Sequence, residues 1–166
     1  MKIPELPKQW LAGDAVSDDQ YCFDPPESPD KSLILFYGCV DGDAGHRIYS
    51  IPADTPVGEV VRFFRVGTHG AESYGVPPEE ALEKFASRVE IISSLVPCRV
   101  IFADPAGLKL KFMRQITRGE VKLIETLFPF DEVMTAGLEF YLSEWDGEGS
   151  LLDRVLEDNA IKFWWD

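Results

Sequence analysis

The histidine of segment 67–70 (GTHG) is the residue best placed for chemistry, because its flanking glycines predict a flexible loop. A loop histidine can act as a general base for a nucleophile, and Cys22, Cys39 or Ser73 could supply one. The sequence contains no nucleophile elbow, no glycine-rich phosphate cradle and no His-x-x-x-His spacing. We therefore interpret His69 as a loop histidine without a catalytic task.

Two acidic turns have some of the carboxylates that a cation site needs. Segment 41–45 (DGDAG) opens like a calcium loop, with carboxylates two residues apart. An EF-hand loop also requires glycine at its sixth position and glutamate at its twelfth, where this chain has His46 and Pro52. Segment 146–148 (DGE) departs from the pattern too, because Leu151 holds its sixth position. The sequence predicts ordinary turns here, with no metal and no cofactor.

The three cysteines are an odd number without a CxxC pair, and neither histidine lies within short ligand spacing of them. Cys39 and Cys98 stand in apolar stretches, where a thiol packs as a small hydrophobic group. Reactive thiols need exposed, electropositive surroundings. We predict that no disulfide forms and that these two thiols react slowly.

The composition predicts one folded domain. The chain has 166 residues, of which 45% are hydrophobic and 12% aromatic, enough apolar area for a substantial core. Its apolar runs fall short of the about 20 residues that cross a membrane. Residues 1–20 lack the apolar region of a signal peptide. We expect a cytoplasmic protein without membrane contact.

The elements that must position these residues follow from hydrophobic periodicity. Residues 1–31 are rich in proline, which predicts an irregular N-terminal arm with one short helical turn around residues 8–11. Residues 57–66 fit a helix with Thr55 as N-cap, although a strand over 60–66 is an alternative, and residues 138–145 fit either element. The other predicted strands cover 32–40, 46–51, 98–103, 108–114 and 161–165, and the other predicted helices cover 77–96, 117–128 and 151–156.

This order lacks the steady strand–helix–strand rhythm of a parallel sheet. We predict an α+β class, with a single domain over 32–166 in which antiparallel β-hairpins pack against three to four helices.

Charge is laid out unevenly along the chain. The formal net charge is −13, yet residues 97–128 carry six bases against three acids, and residues 129–166 carry ten acids against two bases. The basic strip that includes Lys109, Lys111, Arg114 and Arg118 could bind nucleic acid, but the overall charge opposes that. We predict no nucleic-acid partner and expect the acidic C-terminal segment, from this chain or a second copy, to neutralise the strip.

Acidity is the strongest functional signal that remains. It favours a non-enzymatic binding protein that masks a basic site on a partner protein, as inhibitors and immunity-type proteins do. Aromatic residues among acids carry binding energy well. The candidate interface consists of Tyr141, Trp145, Asp146, Glu148, Trp164 and Trp165.

Two alternatives stay open from the sequence. One is a small enzyme whose site is assembled from dispersed residues around His69, with Arg62 and Arg65 as participants. The other is an accessory subunit of a larger complex, which an extensive apolar surface would signal. The oligomeric state is not indicated.

Overall fold

The computed structural model describes residues 4–20, 23–41, 43, 45–127, 137 and 150–165. These ranges contain β1 (Leu11–Ala15), β2 (Leu33–Gly38), β3 (Arg47–Pro52), β4 (Cys98–Asp104), β5 (Gly107–Phe112) and β6 (Ala160–Trp164). They also contain α1 (Val57–Phe64), α2 (Thr68–Tyr74), α3 (Pro78–Leu95), α4 (Arg118–Glu125) and α5 (Leu151–Asp158). The predicted α+β class with a single domain is confirmed. Residues 138–145, for which the sequence left strand and helix open, lie outside the described residues.

The six strands form one mixed sheet in the order β1-β3-β2-β4-β5-β6. The hairpins β2–β3 and β4–β5 are antiparallel, as the sequence predicts. β2 and β4 run parallel, with Tyr37 opposite Phe102. A parallel pair needs a long connection, and the chain makes it through β3, α1, α2 and α3.

The ends of α3 and α4 lie at the prolines and capping residues of the sequence. α3 begins at Pro78 and ends at Leu95, two residues before Pro97. At α4, the Thr117 hydroxyl accepts a hydrogen bond from the Glu120 backbone N–H at 3.3 Å, and the Glu120 carboxylate accepts one from the Thr117 N–H at 3.4 Å. These local signals fix the residue at which each helix starts. The apolar residues of each helix therefore face the core.

The inner face of the sheet packs beneath the helices. Leu108, Leu110 and Phe112 of β5 are buried, whereas the alternate residues Lys109 and Lys111 point to the outer face. Edge-to-face aromatic contacts join the sheet to α1, with ring centroids 5.5 Å apart for Phe36–Phe64 and 4.9 Å for Tyr49–Phe64. The two faces of β5 therefore differ sharply in polarity.

Two local predictions for the first third of the chain are corrected. Residues 11–15 belong to the arm predicted to be irregular, yet they form edge strand β1 and pair with β3. All five residues of β1 are exposed, so no hydrophobic alternation marks the strand in the sequence. At α1, Pro56 takes the N-cap position predicted for Thr55, and no side chain caps the helix. The alternative of a strand over 60–66 is wrong, because α1 covers Val57–Phe64.

The flexible loop predicted around His69 is also corrected, because Thr68–Tyr74 form α2. Gly70 allows the Trp165 indole to lie directly against this helix, since a Cβ there would stand 2.7 Å from Trp165 Nε1. Tertiary packing thus stabilises a short helix that local propensity does not predict. α2 adds one helix to the four that the sequence indicates.

Candidate functional site

Loops that are distant in sequence meet at one end of the sheet. The strand register places Ala15, Arg47, Gly38 and Ala103 in one row across β1, β3, β2 and β4. Because β1, β2 and β4 point the same way, their carboxyl ends share this edge, where ligand sites form in open mixed sheets. The acidic end of the sheet is defined by four residues at or just beyond these strand ends: Asp14, Asp41, Asp43 and Asp104.

Asp43 has the least exposed side chain of these four acids, and it forms an ion pair with Arg47. Its side chain is 7% exposed and its Oδ2 accepts a hydrogen bond from Arg47 Nε at 2.8 Å. The hydrogen bond and the charge of Asp43, with a smaller contribution from Asp14, raise the pKa of the Arg47 guanidinium. Arg47 is therefore held as a cation between two acidic loops.

Asp104 orients a histidine at the same end. Its Oδ2 lies 3.1 Å from His46 Nε2, and its Oδ1 accepts a hydrogen bond from the Ala106 backbone N–H at 2.9 Å. The His46 ring also packs beside Phe102, with centroids 5.4 Å apart. Two contacts on the carboxylate and one on the ring fix the geometry of this pair. Nothing in the sequence indicates that His46 and Asp104 meet, because they are 58 positions apart.

A recess of about 220 Å³ opens beside these loops and is lined in part by Cys39, Asp41, Asp43, His69 and Asp104. Burial raises the pKa of the Cys39 thiol, and the carboxylates of Asp104, Asp43 and Asp41 raise it further. The thiol therefore stays protonated at neutral pH, which is unfavourable for a nucleophile. Three carboxylates, Asp41, Asp43 and Asp104, thus line the recess, with Arg47 as the nearby base that opposes their effect on the thiol.

Of the groups expected around His69, Cys39 lines the same recess, whereas the described side chains of Ser73, Arg62 and Arg65 have other partners. Ser73 Oγ donates a hydrogen bond to the His69 backbone carbonyl at 3.2 Å rather than to the imidazole. Arg62 contacts Glu83 at 3.1 Å and Arg65 contacts Glu79 at 2.7 Å, so both guanidinium groups take part in ion pairs with α3. Cys22 lies outside the described residues.

Two of the predicted interface residues lie in the described part of the chain. Trp165 is 4% exposed and packs edge-to-face on Phe85 at 5.3 Å, so it belongs to the core and is not accessible to a partner. Trp164 is half-buried on the outer face, against Gly107, with Lys162 Nζ 5.0 Å from its ring centroid. The other four, Tyr141, Trp145, Asp146 and Glu148, lie outside the described residues, and their role stays a prediction.

Acids of the N-terminal arm, which the sequence did not suggest as partners, contact the basic strip. Asp24 of the N-terminal arm lies 2.7 Å from Lys111 Nζ and 3.7 Å from Lys109 Nζ. Farther along the arm, Glu27 lies 3.4 Å from Arg99. We call residues 23–31 the strap, because they pass over the outer face of the sheet with Pro25 buried. Most acids of the C-terminal segment lie at 131–148, outside the described residues, so the pairing of the strip with that segment stays a prediction.

The strand register explains why the strip attracts carboxylates. Arg99 stands directly opposite Lys111, and Lys109 directly opposite Lys162. Like charges in such cross-strand pairs repel each other and destabilise a sheet. The carboxylates of Asp24 and Glu27 offset that repulsion.

The chain matches no protein-family model, no curated protein and no solved structure. Within the described ranges, no group of three or more His, Cys, Asp and Glu residues is arranged to hold a metal ion. None of the helices in that part of the chain combines the length and apolar character that crossing a membrane requires.

Proposed function

We propose that this protein is an acidic binding protein without chemistry of its own, which masks a basic site on a partner protein. The proposal rests on the observation that basic residues of this chain form ion pairs with its own acids. Arg47, Arg62, Arg65, Arg99, Lys109 and Lys111 each form an ion pair within the chain, so the strongest basic clusters are locally neutralised. A net charge of −13 then dominates the long-range field and steers the protein toward positive surfaces.

The acidic end of the sheet is the described surface that best fits this role. Asp14 and Asp41 are exposed there, and the 220 Å³ recess lined by Asp41, Asp43 and Asp104 has room for a basic side chain of a partner. A cation entering the recess would gain from the carboxylates of Asp41, Asp43 and Asp104 that line it. We therefore propose that the chain belongs to the functional class of inhibitors and immunity-type proteins.

Affinity capture from the native host at low salt tests the proposal. The key variant is D14K/D41K, and the matched control E59K/E72K makes the same change in net charge at exposed sites on α1 and α2. We expect wild type and control to capture the same basic protein and D14K/D41K to lose most of it. Circular dichroism confirms that each variant is folded.

A separate variant tests the alternative interface near the C-terminus. W145A/W164A removes two aromatic side chains that the sequence places in an acidic setting, and it leaves the core residue Trp165 intact. Loss of capture in this variant, with D14K/D41K unaffected, would move the interface away from the acidic end. Equal capture by all four proteins would contradict both locations.

The oriented His46–Asp104 pair favours a small enzyme as the second candidate. The raised pKa of Cys39 weighs against it, because the nearby thiol is not activated. Turnover of a small molecule by wild type, lost in H46A, together with no captured partner would establish the enzyme. Most of the exposed large apolar residues lie on separate elements, among them Leu11 on β1, Tyr74 on α2 and Leu123 on α4, which gives the accessory subunit less support.

A further inference from the structure

A second recess, of about 310 Å³, lies at the opposite end of the parallel pair, where β2, β4 and α1 begin. Its volume falls at the lower end of the range for small-molecule sites, roughly 300 to 1,000 Å³. Glu27 and Ser28 of the strap line its mouth. The recess is separate from the acidic end, so the proposed partner site does not account for it.

The floor of this recess is apolar. Val57, Val60 and Val100 line it and are 6%, 0% and 1% exposed, and half-buried Ile34 adds a further aliphatic wall. Burial raises the pKa of the Cys98 thiol in the same wall to about 11, so this group is neutral at physiological pH. An apolar ligand body would gain by displacing water from these surfaces.

Two cations stand at the same recess. The Arg99 side chain is only 18% exposed, and Lys31 lines the recess with it. Arg99 faces Lys111 in the strand register, so an anion beside it relieves the repulsion between them. In the described structure that anion is the Glu27 carboxylate, which is 69% exposed and lies 3.4 Å from Arg99.

We propose that this recess binds a small amphipathic carboxylate, with its apolar body on the valine floor and its carboxylate on Arg99 and Lys31. Arginine recognises carboxylates through paired hydrogen bonds, which gives the site its preference for an anion. Glu27 is then an internal competitor that leaves Arg99 when ligand enters. The exposure of Glu27 makes this exchange inexpensive, because exposed ion pairs contribute little stability.

The test is a titration of ¹⁵N-labelled full-length protein with octanoate, followed by amide chemical shifts. Saturable shifts should appear at residues lining the recess, such as Leu33, Val57 and Arg99. Octanamide, which keeps the apolar body and lacks the charge, should bind on the order of tenfold more weakly.

Two substitutions with matched controls separate the roles of the charges. E27Q should tighten octanoate binding about twofold to fivefold by removing the competitor, whereas E125Q on α4 should not. R99Q should weaken binding about tenfold or more, whereas R118Q, an exposed base on α4, should leave it unchanged.

The proposal is overturned if neither wild type nor E27Q shows saturable shifts at millimolar octanoate, or if the shifts map outside the recess. Equal affinity for octanoate and octanamide would also overturn it, because the site would then be merely apolar. The comparison of ligands on wild type keeps the test decisive even if R99Q does not fold.

Discussion

The Asp24 carboxylate accepts a hydrogen bond from Lys111 Nζ at 2.7 Å, which ties the strap to the carboxyl end of β5 across 87 positions of sequence. Lys109 approaches the same carboxylate at 3.7 Å. Partial burial acts to raise the pKa of Asp24, but the hydrogen bond from Lys111 and the charges of both lysines outweigh it and lower the pKa. A single carboxylate of the strap thus forms ion pairs with two lysines of the sheet.

Because the folded-state pKa of Asp24 is lowered, its contribution to stability is present above its unfolded value of about 3.9 and is lost as pH falls through the folded value. We expect D24N to lower the free energy of unfolding at pH 7 by no more than about 1 kcal/mol, since the group is largely solvated. Urea unfolding at pH 7 and pH 2 measures this, and the difference from wild type should vanish at the lower pH. D19N, at an exposed acid of the arm, is the control. A D24N deficit that persists at pH 2 would show that charge is not its cause.

The described thiols should react slowly with a thiol reagent at pH 7. Burial raises the pKa of Cys98 to about 11, and burial with neighbouring carboxylates raises the pKa of Cys39. Labelling of a C22S variant, read by mass spectrometry, should proceed more slowly than in the urea-unfolded chain and should accelerate as pH increases. Rapid labelling of either thiol in the folded protein would contradict this environment.

Gly70 should tolerate no side chain, because a Cβ there would collide with the Trp165 indole that seals α2 to the core. We expect G70A to lower the free energy of unfolding by about 1–3 kcal/mol. G119A in the first turn of α4 is the matched control, since a Cβ there meets nothing within 4 Å, and it should be neutral or slightly stabilising. Equal stability of the two variants would show that the indole can move at little cost.

Much of the fold could be predicted from the sequence because its signals are local. The prolines that bracket α3, the capping box of Thr117 and Glu120, and the alternation along β5 each specify an element without tertiary information. β1 and α2 could not be predicted in this way. β1 has no buried face, and α2 contains Gly70, which is unfavourable in a helix until Trp165 packs on it.

Less of the candidate site than of the fold could be predicted from the sequence. His46 and Asp104 are 58 positions apart, and they meet only because β2 and β4 lie side by side and parallel. Asp41 and Asp43 attracted attention as a cation loop, but nothing in the sequence indicated that Asp14 and Asp104 would join them. The neutralisation of Lys109 and Lys111 by Asp24 likewise depends on how the strap crosses the sheet.

The most direct test of the central claim is the association rate of wild type with its captured partner, measured by surface plasmon resonance at low and at physiological ionic strength (about 0.15 M). A protein that works through its acidity should associate on the order of tenfold more slowly at the higher ionic strength, with a smaller change in the dissociation rate. D14K/D41K should associate slowly under both conditions, and E59K/E72K should retain most of the salt dependence of wild type. An association rate that is independent of salt in wild type would contradict the claim that acidity drives recognition.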